Sequence, residues 1–266
     1  MNSITQRPSM GILNLHSGEQ KFKLSRYAPS GDIGFFVKHF WIVRWDLTGA
    51  EPYLQDVIPN PCVNLVIEPN KTGIYGAAKY KYSYLIKDKG CVIGVKFKPG
   101  GFYPFIKQPV SSLINNPLAI RPVFDIEART LEDTMLSHTE DAKMVELAES
   151  FIRPKLPEKD PAITLINRII DRIVEDHWIT KVDDICKAFD MNKRKLQRLF
   201  DQYVGVSPKW VIKLYRLQNA AETIDHDKNH DRLKLAVDLG YHDQSHFIKD
   251  FKAVIGKTPD EYAGRS

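Results

Sequence analysis

The chain has no apolar run approaching the roughly 20 residues that a membrane span needs. Its opening, MNSITQRPSMGILNL, lacks a basic start, an apolar block and a small-residue cleavage site, so a cytoplasmic, non-membrane protein is expected. Only three cysteines occur, Cys62, Cys91 and Cys186, far apart and without a Cys-x-x-Cys pair. That indicates neither a disulfide framework nor a zinc knuckle, and each reads as a small buried apolar residue. Ahead of residue 130 the only histidines are His16 and His39, with no His-x-His pair, so no metal site is expected. Gly-x-Ser-x-Gly, His-Glu-x-x-His, P-loop and dinucleotide fingerprints are all missing, which points away from an enzyme and from a bound cofactor.

What is there is a globular composition. Apolar residues make up 43% and charged residues 27% of 266 residues, with a net charge of +5. At about 150 residues per domain this allows two ordinary domains, and the charge permits a polyanion partner without requiring one. The boundary is expected at Arg153-Pro-Lys-Leu-Pro-Glu-Lys-Asp-Pro161, where three prolines and a run of charge favour a solvated connector. The domains are then residues 1–152, a linker 153–160, and residues 161–266.

Upstream, Phe35 to Asp46, Val63 to Glu68, Lys81 to Ile86 and Cys91 to Phe97 read as short, mostly antiparallel strands, from their aromatic and β-branched content and flanking turn residues. Leu131 and Met135, then Met144, Ala148 and Phe151, are spaced for helices. Those helices have two uses open to them, pairing with a second copy or packing on their own β-region. Downstream nearly everything reads as helical. Asp160 is placed to cap a helix carrying Ile163, Ile166, Ile169, Ile170 and Ile173, and Ser207-Pro208 to open a long one reaching about Ile224. The fold class is α+β in two domains: a β-rich, barrel-like domain ending in helices, then an all-α domain.

The helical half contains a repeat. Ile185-Cys-Lys-Ala-Phe-Asp190 aligns with Leu235-Ala-Val-Asp-Leu-Gly240, and Leu196 and Phe200 align with Phe247 and Phe251, with one extra residue in the second turn. Each unit is a short helix, a tight turn and a second helix whose inward residues leave a polar face free, a helix-turn-helix made twice and joined by the long helix. Between Lys193 and Arg216 seven basic residues face a single acid, Asp201, a local net of +6, whereas the region from Asp160 to Ser266 carries 18 basic and 17 acidic residues. Positive charge is therefore concentrated on the first unit, where Lys193, Arg194, Gln197 and Arg198 avoid the apolar positions. Such a face suits a major groove.

The stretch from Ile185 to Phe200, followed by Gly205-Val-Ser-Pro208, Arg216 and Ala220-Ala221, resembles the C-terminal DNA-binding domain of the AraC/XylS family. So does Ala236-Val-Asp-Leu-Gly-Tyr-His-Asp-Gln-Ser-His-Phe-Ile-Lys-Asp-Phe-Lys252 with Gly256-Lys-Thr-Pro259 and Tyr262. The resemblance implies a transcriptional regulator whose partner is double-stranded DNA, nucleoid-associated when bound, with RNA polymerase and a homodimer as possible further partners. It implies base contacts from Arg194, Gln197 and Arg198, and from Gln244, Ser245 and Lys249. Phosphate contacts are expected from Lys193, Lys195, Lys209, Lys213 and Arg216. Asp190 replaces the family's usual turn glycine and must accept a left-handed or distorted conformation. Asp243 and Asp250 reduce the positive charge near the second recognition helix, so the second unit is expected to contribute less affinity.

In many members of that family the N-terminal half binds a small-molecule effector. Here Phe40-Trp41-Ile-Val-Arg-Trp45, Pro59-Asn-Pro-Cys-Val-Asn-Leu65 and Gly94-Val-Lys-Phe-Lys-Pro-Gly-Gly-Phe102 resemble a less characterised domain attached to some of these regulators. Trp41, Trp45, Tyr53, Phe97, Phe102 and Tyr103 are candidates to line an apolar effector pocket, with ordinary core packing as the competing reading. The alternative function is a DNA-binding domain fused to a catalytic or alkyl-accepting N-terminal domain, with Cys62 as its thiol.

Overall fold

The computed structural model describes residues 18, 20–176, 178–227 and 231–264; His16 lies outside them. Alternation of large apolar and polar residues along the chain builds seven strands among these residues: β1 (Lys23–Tyr27), β2 (Val37–Asp46), β3 (Tyr53–Val57), β4 (Asn64–Ile67), β5 (Gly73–Tyr75), β6 (Tyr82–Ile86) and β7 (Lys89–Phe97). Five form an antiparallel sheet in the order β1-β2-β7-β4-β5, and β3 pairs with β6 in a second sheet. The four expected strands correspond to β2, β4, β6 and β7. The short β1, β3 and β5 owe their formation to pairing with distant partners more than to local pattern.

One face of the large sheet presents Val37, Phe40, Ile42, Leu65, Ile67, Ile93, Val95 and Phe97 to a core. That core is closed by the short helix α1 (Tyr103–Ile106), by α2 (Arg121–Phe124), and by α3 (Ala128–Leu136) and α4 (Asp141–Ile152). Leu131, Met135, Met144, Val145, Ala148 and Ile152 are buried in it. The apolar stripes of α3 and α4 are thus used within the chain. On the opposite face, Trp45, Val43 and Leu24 pack with Phe22, Leu47, Ile86, Tyr53 and Tyr84 beneath the two-stranded sheet.

After a 3-10 turn at Arg153–Lys155 the chain runs extended to Asp160, whose carboxylate accepts the Ala162 N–H at 2.8 Å ahead of Pro161. The connector is held at its start, since the Arg153 guanidinium pairs with Asp32 and Glu149. The helices that follow are α5 (Pro161–Glu175), α6 (Val182–Ala188), α7 (Lys193–Tyr203), α8 (Pro208–His226), α9 (Arg232–Asp238), α10 (Gln244–Ile255) and α11 (Pro259–Tyr262). Helix α8 contributes Val211 and Ile212 to a core made with α5, α6 and α7. Its Leu214, Leu217, Ala220, Ala221 and Ile224 join a separate core with α9, α10 and α11.

The two units are alike in their hydrogen bonds as well as in sequence. Phe189 N–H donates to Ile185 O and Met191 N–H to Cys186 O; Leu239 N–H donates to Leu235 O and Tyr241 N–H to Ala236 O. Between the last two positions the turn residue is left-handed, with φ of 46° at Asp190 and 71° at Gly240. Valine at residue 190 should therefore destabilise the protein by about 1–2 kcal/mol, whereas Asp190→Gly should be at least as stable as the parent; urea unfolding of both variants checks this.

Candidate nucleic-acid interface

Each recognition helix begins on a side-chain cap. Asn192 accepts the Lys195 N–H at 2.8 Å at the head of α7, and Asp243 accepts the Ser245 and His246 N–H groups at 2.7 and 3.3 Å at the head of α10. Each helix is followed by a left-handed glycine, Gly205 or Gly256, and then by a Ser207 or Thr258 cap with proline next. Leu196 and Phe200 in α7, and Phe247 and Phe251 in α10, are fully buried. That anchoring turns the remaining positions outward: Lys193, Arg194, Lys195, Gln197 and Arg198 are exposed on α7, and Gln244, Ser245 and Lys249 on α10.

The basic residues differ in how they are engaged. Among the described residues Arg194, Lys195, Arg198, Lys209 and Lys249 have no ion pair. Lys193 sits 2.8 Å from Asp183 in the preceding helix, and the hydrogen bond to that carboxylate, with its charge, pushes the ammonium above its ordinary value. Lys213 contacts Asp250 at 3.2 Å. Arg216 departs most from the expected phosphate role. Its guanidinium lies 4.6 Å from the Tyr241 ring centroid, its Nε and one Nη are buried without a hydrogen-bond partner, and burial pulls it below the usual arginine range. It belongs to the seam between α8 and the second unit. The reason is positional: Arg216 lies a turn after Ile212 and beside Leu217, where α8 receives the second unit.

The two acids expected to weaken the second unit are occupied as well. Asp243 is a helix cap, and Asp250 is turned inward, 16% exposed, toward Lys213 and the Tyr241 hydroxyl, which lies 3.3 Å away.

Sequence reasoning missed how far the N-terminal domain reaches into this half. Ile58, 1% exposed, sits in the core of the second unit, Ala77 in that of the first, and Ile163 of α5 in the N-terminal core. The Tyr103 and Tyr203 rings lie 4.2 Å apart, Gln202 donates to the Tyr103 hydroxyl at 2.5 Å, and Tyr203 donates to Asp160 at 2.6 Å. A Cβ on Gly205 would meet the Val110 backbone at 3.0 Å. A cleft of about 660 Å³ is lined by Lys79 and Ser111 on one side and Gln197, Asp201 and Trp210 on the other. The first recognition helix is consequently flanked by the N-terminal domain. A lone isoleucine in a Val-Ile-Pro-Asn-Pro loop carried no periodicity that could have placed it there.

The candidate effector residues are not brought together. Phe97 and Phe102 are core, 0% and 1% exposed, with ring centroids 4.9 Å apart. Tyr103 belongs to the interdomain contact. Trp45 and Tyr53 pack under the two-stranded sheet, and Trp41, half-buried like them, lies apart from that cluster on the sheet face. The correction follows from strand alternation, because Phe97 and Trp41 occupy opposite faces. Cys62 is buried, 4% exposed, as expected of a small apolar residue. No helix of the described residues is long and apolar enough to cross a membrane.

Residues 185–265 match a family described as a helix-turn-helix domain, and residues 25–119 match a domain of unknown function (DUF6597). The HTH-type transcriptional regulator MtrA of Neisseria gonorrhoeae is 33% identical over 99 residues, 37% of this chain and 31% of that protein. An uncharacterized HTH-type transcriptional regulator of Haemophilus influenzae is 24% identical over 160 residues, 60% of this chain and 51% of that protein. The matches thus span about a third and about half of the relatives' own lengths. Two solved structures of ToxT from Vibrio cholerae, one bound to an unsaturated fatty acid, are 13% and 15% identical. They cover 91% and 92% of this chain and 91% and 98% of theirs, with TM-scores of 0.36 and 0.35, too low a likeness to carry an argument.

Arg216→Ala should lower thermal stability and weaken duplex binding without changing its salt dependence. A phosphate contact would instead lower the slope of log affinity against log salt by about 1. Titration of a labelled duplex at several salt concentrations separates the two.

Proposed function

We propose that this chain, which resembles the AraC/XylS family, is a sequence-specific, double-stranded DNA-binding transcriptional regulator, controlled by a small-molecule effector through its N-terminal domain. The observation that carries the reading is the duplicated unit on one helix: two recognition helices, each with a side-chain cap and two buried anchors four residues apart, each with its polar face open. Arg194, Gln197 and Arg198 on α7 and Gln244, Ser245 and Lys249 on α10 reach base edges, where arginine suits guanine and glutamine suits adenine. Lys195 and Lys209 supply phosphate contacts, and Lys193 and Lys213 do so by exchanging Asp183 and Asp250 for the backbone.

Because α8 is common to both cores, the spacing of the two units is set by a rigid element. The recognition helices then enter successive major grooves about 34 Å apart, and one chain reads an asymmetric site. Such a protein works in the cytoplasm at the nucleoid, with RNA polymerase as its second partner. Control from the N-terminal domain acts through Ile58 in the second core and Tyr103 against the first recognition helix.

Selection of bound duplexes from a random library, with the purified chain at two salt concentrations, should enrich two short blocks one helical turn apart. Arg198→Ala should cost about 1–3 kcal/mol and relax one base position, while Lys195→Ala should lower the salt slope by about 1 and leave the selected motif unchanged. An unaltered motif for Arg198→Ala sinks that assignment, and enrichment of nothing at either salt sinks the reading as a whole. Ile58→Ser should lower the unfolding midpoint and weaken duplex binding without altering the motif, since Ile58 lies in the core of the second unit but outside both recognition helices.

A further inference from the structure

The sheet face turned away from the N-terminal core carries a group of residues that neither helix-turn-helix unit explains. Strand register sets Arg26 of β1 opposite Trp41 of β2, His39 of β2 opposite Lys96 of β7, and Lys96 opposite Asn64 of β4. A bulge between Val37 and His39 returns the strand to this register and leaves Lys38 beside it. Directly opposed and diagonal residues on one face lie within side-chain reach of each other. Three nitrogen-bearing side chains therefore converge, and among the described residues none of Arg26, His39 and Lys96 has a carboxylate or a side-chain hydrogen bond as partner.

His39 is 3% exposed. Burial, together with the charges of Lys96, Arg26 and Lys38, holds its imidazole down to about 3, so it is neutral at neutral pH. Burial brings Lys96 to about 8, with the Cys62 thiol opposing that shift and Lys38 and Arg26 adding to it. Arg26, Trp41 and Lys96 are each half-buried and keep accessible surface. Like charges gathered at a poorly solvated site repel one another and lack the water that would screen them. An anion bound against them relieves both penalties.

An aromatic surface adjoins the cationic end of this patch. The Trp41 indole lies against Gly94, occupying the space that a Cβ there would need, and donates from Nε1 to Asn64 Oδ1 at 3.4 Å. We propose that this patch of the sheet face binds a small organic anion, its carboxylate or phosphate group held by Arg26, His39 and Lys96 and its apolar body resting on Trp41. The site deepens the reading of the N-terminal domain as the seat of effector control and rests on it. The segment 58–63 connects the two. Cys62 lies within electrostatic range of both Lys96 and Tyr215 of α8, Pro59 O accepts from Gln218 at 3.4 Å, and Ile58 is buried in the second unit.

The test uses the full chain at low ionic strength, with inorganic phosphate, phenyl phosphate and phenylacetate as probes, read by thermal unfolding and by tryptophan fluorescence. One of the two aromatic anions should raise the unfolding midpoint by several degrees and quench fluorescence, binding at least tenfold more tightly than inorganic phosphate. Preference for phenyl phosphate assigns a phosphate ligand and preference for phenylacetate a carboxylate. Lys96→Met should weaken binding at least tenfold while its unliganded midpoint stays level or rises, and Arg26→Gln repeats the measurement should the first variant fold poorly. No response to any probe, or an equal response in the parent and both variants, overturns the site. Duplex binding is measured on the same preparations: a chain that binds duplex but no anion loses this site alone, and one that binds anion but no duplex loses the DNA reading alone.

Discussion

The structure depends on one helix buried from two sides. Helix α8 gives Val211 and Ile212 to the first helix-turn-helix core and Leu214, Leu217, Ala220, Ala221 and Ile224 to the second. Both units close their cores on it, and burial at about 25 cal/mol per Å² is the term that holds small helical hairpins together. Since the same backbone serves both, the relative placement of the two recognition helices is a property of α8 and not of a flexible linker. Ile58 then fixes the N-terminal domain to the same helix, so a disturbance at the sheet has a short path to the second unit.

Charge on this surface is sorted by partner. Asp183 engages Lys193, and Asp250 gathers Lys213 and Tyr241 while Arg216 stacks on the same tyrosine. An exposed pair such as Lys193–Asp183 contributes little to stability, but together these contacts decide which cations remain open to a polyanion. The face left open is narrower than the seven basic residues of the Lys193 to Arg216 stretch suggest, and on the second unit it is less acidic than Asp243 and Asp250 suggest.

Much of the helical half was legible because its signals are local. Asp160 and Ser207 cap through their own neighbouring amides, and the three-four spacing of Ile163 to Ile173 needs no partner to be recognised. The left-handed turn at Asp190 could be read from its alignment with Gly240. The aromatic residues of the sheet were harder to place. Phe97 and Lys96 are adjacent in sequence and lie on opposite faces, so which aromatics enter the core turns on a strand register that a bulge at Lys38 shifts by one residue. Short strands such as β5 exist because β4 pairs with them.

The sequence by itself determined the two-domain order, the duplicated helix-turn-helix, its caps and its outward polar faces, because each follows from residues within a few turns of one another. Only the tertiary structure decided that Arg216 stacks on Tyr241, that Ile58 reaches the second core, and that Arg26, His39 and Lys96 meet with no carboxylate partner among the described residues. Those outcomes depend on groups brought together from distant parts of the chain. Pairing register and shared burial govern such meetings, and no local pattern encodes them.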